Sequence, residues 1–167
     1  LIVLLSEESG VTGRIPEVKE MLNTVILSGA AYNLMEIITA QNYKHIEALD
    51  GVLNNVTRFI MGRCEAKEAS LIGQMLELNE EQEANLKRLS RKDGEYNELM
   101  VREVKPDGVE VGVIRYRPTP LEYCLFSSDA KDKTRRAQIM TETDGDMELA
   151  VQRMVSEFEA ARRTRVA

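Results

Sequence analysis

The sequence has few of the residues from which most metal and nucleophilic sites are built. Histidine occurs once, as His45, and the two cysteines, Cys64 and Cys124, lie far apart without a C-x-x-C motif. One histidine with no cysteine or carboxylate cluster at ligand spacing argues against a zinc site and gives no recognisable Ser-His-Asp or Cys-His arrangement. Cysteines in this pattern are typical of a reducing compartment, where they act as small buried hydrophobic side chains.

Long hydrophobic runs and broad basic surfaces are also missing. No apolar run approaches the roughly 20 residues that a membrane-spanning helix needs. The net charge is −6, and the two basic clusters, 131–136 and 162–165, fall in helical-looking segments where a solvated face explains them. We therefore expect a cytoplasmic protein, or one on the cytoplasmic face of a larger assembly, with no direct nucleic-acid site in this chain. Its 167 residues suffice for one domain with its own core.

The first ten residues, LIVLLSEESG, carry the most informative pattern in the chain. Five apolar residues run without interruption and are followed by Ser6, Glu7 and Glu8. A short apolar run of this kind, ended by polar residues, predicts a strand that is buried on both faces. The acids then lie at the carboxyl end of the strand, which is the edge where open α/β sheets bind ligands.

Strand-like and helix-like segments alternate over residues 1–94. The predicted strands are Leu1–Leu5, Leu34–Thr39 and Val56–Met61. The first helix opens at Pro16 and its apolar stripe consists of Val18, Met21, Leu22, Val25 and Ile26. Further helices are predicted at Tyr43–Leu53, Glu65–Leu78 and Glu80–Leu89, the last capped by Asn79. The order implies an α/β fold with a mainly parallel sheet flanked by helices, and we predict that 1–94 forms this core.

The pattern changes after Gly94. Leu99–Val104 and Val109–Tyr116 flank the turn Pro106-Asp107-Gly108, which predicts a β-hairpin. A further strand is predicted at Leu121–Phe126, then a helix capped around Asp129 and a last helix after Gly145-Asp146. Residues 95–167 are thus expected to add a C-terminal hairpin and a helical tail to the same domain.

Four segments carry a resemblance to a known family. LIVLLSEE, LSGAAYNLMEIITAQN, GVLNNVTRFIMG and TPLEYCLFSSDAKDK follow one another as in the second half of a RecA-like motor ATPase. Within the HerA/FtsK superfamily, the chain most resembles the ATPases of conjugation and type IV secretion, the fourth component of the VirB set. The resemblance covers most of the chain, although each segment alone is a weak signal. It implies a RecA-like sheet that carries a Walker B strand.

The resemblance assigns roles to four residues. Glu7 stands where the catalytic glutamate activates water, and Gln41 matches the polar residue that senses the γ-phosphate; Ser6 takes the place of the aspartate of the Mg²⁺ shell. Glu8 would lie beside the nucleotide. A serine brings no charge, so Mg²⁺ binding through Ser6 should be weaker, and no direct metal ligand is assigned with certainty. A simpler interpretation makes Glu7 and Glu8 loop acids and Gln41 a turn residue.

The chain departs from the family pattern in two places. No G-x-x-x-x-G-K-[ST] motif occurs, so the P-loop is expected before Leu1 or is absent. Members of the family that the chain resembles usually have an arginine near the position of Gly29-Ala30, ahead of the second strand; Arg58 and Arg63 could replace it, but a surface role explains both more simply.

Two functional hypotheses follow from the resemblance. The first is a fragment of an ATP-driven hexameric motor that powers DNA or protein transfer and requires ATP and Mg²⁺ bound with a P-loop half. Its partners would be its own ring subunits, other secretion-apparatus proteins and the cytoplasmic face of the inner membrane. The second is a catalytically degenerate structural subunit of the same assembly. Neither hypothesis expects ATP hydrolysis from this chain alone.

Overall fold

The computed structural model describes residues 2–6, 15–28, 34–41, 43–44 and 55–166. The strands are β1 Ile2–Ser6, β2 Leu34–Ile38, β3 Arg58–Met61, β4 Arg91–Lys92, β5 Tyr96–Lys105 and β6 Gly108–Tyr116. The helices are α1 Pro16–Ser28, α2 Ala66–Met75, α3 Glu80–Arg88, α4 Pro120–Phe126, α5 Ala130–Glu142 and α6 Met147–Val166. The fold is therefore α/β, as the alternating pattern predicts.

The chain forms two compact units. Unit 1 comprises Leu1–Ser90 and Glu98–Ile114, and unit 2 comprises Arg91–Asn97 and Arg115–Ala167. The division does not coincide with the predicted boundary between residues 94 and 95. Most of the hairpin belongs to unit 1, and the C-terminal helices belong to unit 2.

The β1–α1–β2 segment of unit 1 has the predicted parallel arrangement. β1 pairs with β2 in parallel, from Ile2 opposite Leu34 to Ser6 opposite Ile38. Helix α1 begins at Pro16, whose fixed φ and missing N–H suit the first helical position. Met21 was predicted to be buried in the stripe of α1, but its side chain is 57% exposed.

The predicted mainly parallel, RecA-like sheet is not supported, because β3 belongs to a different sheet. β3 pairs antiparallel with β5, in a four-stranded sheet that β4 and β6 complete. Its burial alternates: Phe59 is buried and Ile60 is 63% exposed. Such alternation fits an antiparallel sheet with one face in water and does not fit a strand buried on both faces. The physical reason is that β3 forms backbone hydrogen bonds with the long strand β5. This partner is available only after β5 and β6 have folded into the hairpin.

The core of unit 1 lies between this sheet and helices α2 and α3. Its buried residues are Ala69, Leu86, Leu89 and Met100, with Met61, Cys64, Ile72, Leu78 and Val111 packed against them. Asn79 caps α3 as predicted: its side chain accepts from the Gln82 N–H, and the Gln82 side chain accepts from the Asn79 N–H. The cap fixes where the chain turns from α2 into α3.

Unit 2 corrects a second prediction, since Leu121–Phe126 is helical and not a strand. Thr119 and Glu122 form a capping box at the start of α4, and Pro120 occupies its first turn. These residues satisfy the free N–H groups of a helix start, which outweighs the strand-like apolar composition.

The core of unit 2 is formed by α5 and α6 around Ile139, Ala150 and Met154. Beside it, the rings of Tyr123 and Phe158 stack with centroids 4.7 Å apart. Gly94 has φ +72°, and a Cβ there would lie 3.2 Å from the Phe158 ring, so both backbone and space favour glycine. In the described part of the chain, no helix is long and apolar enough to cross a membrane.

Candidate functional site

The candidate site is the edge of the parallel sheet at which β1 and β2 both end. Ser6 closes β1 opposite Ile38, which closes β2. Thr39 and Gln41 follow directly, and both are exposed. The parallel register therefore brings the carboxyl end of β1 and the segment that carries Gln41 to the same edge of one sheet.

Two of the predicted site residues cannot be placed. Glu7 and Glu8 lie outside the described residues, as do Gly29 and Ala30, near which the resemblance leads one to expect an arginine. Of the predicted site, the structure positions the backbone of Ser6 and the exposed Gln41, and it shows that β1, which ends at Ser6, runs parallel to β2, which precedes Gln41.

An acid that sequence reasoning missed lies next to the segment after Gln41. The Tyr43 N–H donates to Oε1 of Glu68, on helix α2, at 3.0 Å. This hydrogen bond connects Tyr43, which follows the candidate site, to helix α2, which packs on the core of unit 1. Because Tyr43 and Glu68 are distant in sequence, no local sequence motif predicts this hydrogen bond. Glu68 thus anchors the backbone of Tyr43, two residues after Gln41.

The thiol of Cys64 lies near the same carboxylate. Burial, reinforced by the negative charge of Glu68, raises the pKa of Cys64 above its usual value. Burial also raises the pKa of Cys124 in unit 2. The raised pKa favours the protonated thiol over the more nucleophilic thiolate at both positions.

Arg58 and Arg63, the two arginines considered from the sequence for this site, differ in their surroundings. Arg58 donates through Nη2 to Oε1 of Glu103 on the neighbouring strand β5. That hydrogen bond lowers the pKa of the Glu103 carboxyl. Arg63 is exposed in the segment after β3. Arg58 is therefore already engaged within its own sheet, whereas the position of Arg63 leaves it accessible to a neighbouring molecule.

The polar side chains at the carboxyl edge of the β1–β2 sheet limit which ligands this edge can bind. A serine hydroxyl and a glutamine amide can hold a water molecule or a phosphate oxygen, but they bring no negative charge to a metal ion. Among the residues that the structure describes, no group of three His, Cys, Asp or Glu could hold a metal ion. The described residues at this edge therefore supply no charged ligand for a metal ion.

Comparison with known proteins does not identify a family. No family model, curated protein or solved structure matches the chain.

Proposed function

We propose that the chain is the Walker B half of an ATP-driven motor that powers DNA or protein transfer through a type IV secretion or conjugation apparatus. The parallel β1–α1–β2 unit carries the proposal, because it brings the end of β1 and the segment of Gln41 to one sheet edge. In open α/β sheets this edge is where phosphate-bearing ligands bind. The choice of a secretion or conjugation motor, rather than another ATPase, rests on the sequence resemblance alone.

Each residue of the candidate site has one task in this mechanism. Glu7 would accept the proton of the attacking water as general base, and Gln41 would orient that water with one donor and one acceptor. Ser6 would hold a water of the Mg²⁺ shell, with Glu8 beside the nucleotide. Bound Mg²⁺ and ATP would supply the transferable phosphoryl group and neutralise its developing charge. The P-loop that cradles the phosphates would come from residues before Leu1.

The proposal also implies an assembly. The chain would act in a hexameric ring of its own subunits, with other secretion-apparatus proteins, in the cytoplasm at the inner face of the inner membrane. Neighbouring subunits in such a ring complete each other's sites with an arginine. Gly29-Ala30 offers none, so the exposed Arg63 is the better candidate for that role than Arg58, which is bonded to Glu103.

The decisive experiment replaces Glu7 in the longest natural polypeptide that contains this chain. We expect Glu7→Gln to reduce steady-state ATP hydrolysis by roughly 10²–10⁴-fold, because the chemical step loses its proton acceptor. Nucleotide affinity should stay nearly unchanged. The matched control is Glu17→Gln, an exposed acid in the first turn of α1, which should hydrolyse ATP like the parent. Equal turnover in Glu7→Gln and the parent would show that Glu7 is only a loop acid.

A second candidate function is favoured by the identity of Ser6. Where the motor needs a charged residue to order the Mg²⁺ shell, this strand ends in a neutral hydroxyl. A subunit of this kind would keep the sheet and the assembly surfaces of the motor but hydrolyse little or no ATP. A parent protein that binds no nucleotide at all would establish this candidate over the first.

A further inference from the structure

Unit 2 contains a groove that the proposed ATPase site does not use. The groove encloses about 480 Å³ and lies between the end of α4 and helices α5 and α6. Its lining consists of Leu125, Phe126, Ser127, Ser128, Lys133, Arg136, Met140, Met147 and Met154. Its volume falls within the range of natural binding pockets.

The apolar part of the lining is unusually open to solvent. Phe126 is 79% exposed and Met147 is 60% exposed, while Met154, which also lines the groove, is buried in the core. Single exposed hydrophobic residues are ordinary, but these two border the same concave surface. Methionine side chains are flexible and polarisable, so they adapt to the shape of inserted apolar groups. The groove is therefore suited to receive apolar side chains from outside.

The charged part of the lining is positive only. Lys133 and Arg136 line the groove without any carboxylate, although the whole chain carries a net charge of −6. The Arg136 guanidinium is held in place because it donates to the carbonyls of Cys124, Leu125 and Ser127 at the end of α4. Carbonyls fix its position but leave its positive charge uncancelled. The groove thus combines an apolar floor with a fixed cation.

The acids nearest in sequence, Asp129 and Asp132, accept hydrogen bonds from groups other than Lys133 and Arg136. The Asp129 carboxylate caps α5 by accepting from the Lys131 N–H at 2.8 Å, and the Asp132 carboxylate accepts from the Ser127 hydroxyl. Within the described chain, no ion pair involves Lys133; the ion pairs of α5 and α6 include those that join Arg135 to Glu142 and Glu157, and Arg153 to Glu142. The ammonium of Lys133 is therefore available to an acidic group from a partner.

We infer that this groove binds an amphipathic segment of another protein that places apolar side chains against Phe126, Met140 and Met147 and a carboxylate at Lys133. A concave, methionine-lined surface suits a helix with apolar anchors, which is a recurring mode of peptide recognition. A flat bilayer surface could not fill the concavity. The all-positive lining in an acidic chain points to an acidic partner and gives the binding its selectivity.

The test uses the whole 167-residue chain and three synthetic peptides of about 18 residues. The first carries leucines at i, i+3, i+4 and i+7 with flanking glutamates, the second has lysine in place of each glutamate, and the third scatters the same leucines. Fluorescence anisotropy of labelled peptides gives the affinities. We expect the first peptide to bind most tightly.

Two pairs of variants locate the site. Met147→Ala should weaken the acidic peptide about tenfold because an apolar contact is lost. Leu149→Ala, an exposed apolar residue on the same helix but outside the lining, should leave the affinity unchanged. Lys133→Glu should weaken the acidic peptide roughly fivefold or more and favour the basic one, whereas Lys131→Glu on the same helix should do neither. Circular dichroism spectra check that each variant is folded.

Several results would overturn the inference. Equal binding of the acidic and basic peptides, or no binding of either, would show that the lining has no selective role. Equal losses in Leu149→Ala and Met147→Ala would place any binding elsewhere. Flotation with anionic phospholipid vesicles that depends on Phe126 would identify a membrane surface instead. Sedimentation that shows a dimer of this chain, dissociated by Met147→Ala, would identify a self-interface.

Discussion

Ser6, the last residue of β1, lies opposite Ile38, the last residue of β2, in a parallel register. The two strands therefore stop at the same level, and neither extends past the other at the carboxyl edge. A shift of the register by two residues would carry the end of one strand about 7 Å along the other, since each residue of a strand advances the chain by about 3.3 Å. This alignment places Ser6 and the segment that carries Gln41 at the same sheet edge, as joint action on one ligand requires.

The core of unit 1 should be sensitive to shortening of Met100. The side chain is 1% exposed and packs with Ala69, Leu86 and Leu89. Met100→Ala should lower the free energy of unfolding by about 2–5 kcal/mol, because it removes buried apolar atoms and leaves a cavity. The measurement is equilibrium denaturation in urea.

A control on the same strand separates packing from a general effect of substitution in β5. Val104 is 42% exposed, so Val104→Ala should change the free energy of unfolding by about 1 kcal/mol at most. Equal destabilisation by the two substitutions would contradict the position of the core.

Helix α4 should depend on its capping box. The Thr119 hydroxyl accepts from the Glu122 N–H at 3.2 Å, and the Glu122 carboxylate accepts from the Thr119 N–H at 2.7 Å. Thr119→Ala should cost about 1 kcal/mol of stability, because an N–H of the first turn loses its partner. In contrast, Thr134→Ala in the exposed middle of α5 should be neutral or slightly stabilising, since its hydroxyl only bonds back to the Ala130 carbonyl. Thermal unfolding of both variants would detect the difference, and matching midpoints would argue against the cap.

An ion pair in unit 2 predicts how stability changes with pH. Arg135 donates through Nε and Nη2 to the two carboxylate oxygens of Glu157, at 2.9 and 2.6 Å. The hydrogen bond from Arg135, helped by its charge and by Arg153, lowers the pKa of Glu157 below its ordinary value of 4.5. A group whose pKa is lower in the folded state stabilises the fold above its unfolded pKa, and this contribution is lost as the pH falls through the folded pKa.

The free energy of unfolding should therefore decrease as the pH is lowered below about 4.5, and this decrease should be smaller in Glu157→Gln. Glu148→Gln is the control on the same helix, because Glu148 meets Gln152 and not an arginine. Urea titrations at a series of acidic pH values measure the slopes. An identical slope in Glu157→Gln and the parent would mean that the pair contributes nothing, as many exposed pairs do.

Local signals in the sequence predicted part of this fold. The cap at Asn79, the turn at Pro106-Asp107-Gly108 and the start of α1 at Pro16 depend on residues a few positions apart, and all three are present. The capping box of α4 was also readable, as Thr119 followed by Pro120 and Glu122, but the short apolar run after it suits strand and helix equally well. The cap at Thr119 therefore decides between the two in favour of the helix.

The parts that could not be predicted depend on partners distant in sequence. β3 pairs with β5. Whether β3 joins the parallel or the antiparallel sheet therefore depends on the hairpin of β5 and β6, which lies much later in the sequence. The contact of Glu68 with the Tyr43 N–H likewise joins two segments without a shared motif. For the candidate site, the sequence predicted the parallel approach of β1 and β2, which is confirmed, while the catalytic roles of Glu7 and Gln41 remain predictions.

The last prediction separates an active motor from a degenerate subunit by restoring a charge at the end of β1. In the longest natural polypeptide that contains this chain, Ser6→Asp should increase Mg²⁺-dependent ATP hydrolysis and lower the Mg²⁺ concentration needed for half-maximal rate. The reason is that a carboxylate holds the metal shell more strongly than a hydroxyl. Ser6→Asn supplies an oxygen of similar reach without charge and should resemble the parent. Initial rates over a Mg²⁺ series measure both effects. If Ser6→Asp binds nucleotide but shows no gain over Ser6→Asn, the strand end does not hold the metal shell, and the Walker B assignment fails at Ser6.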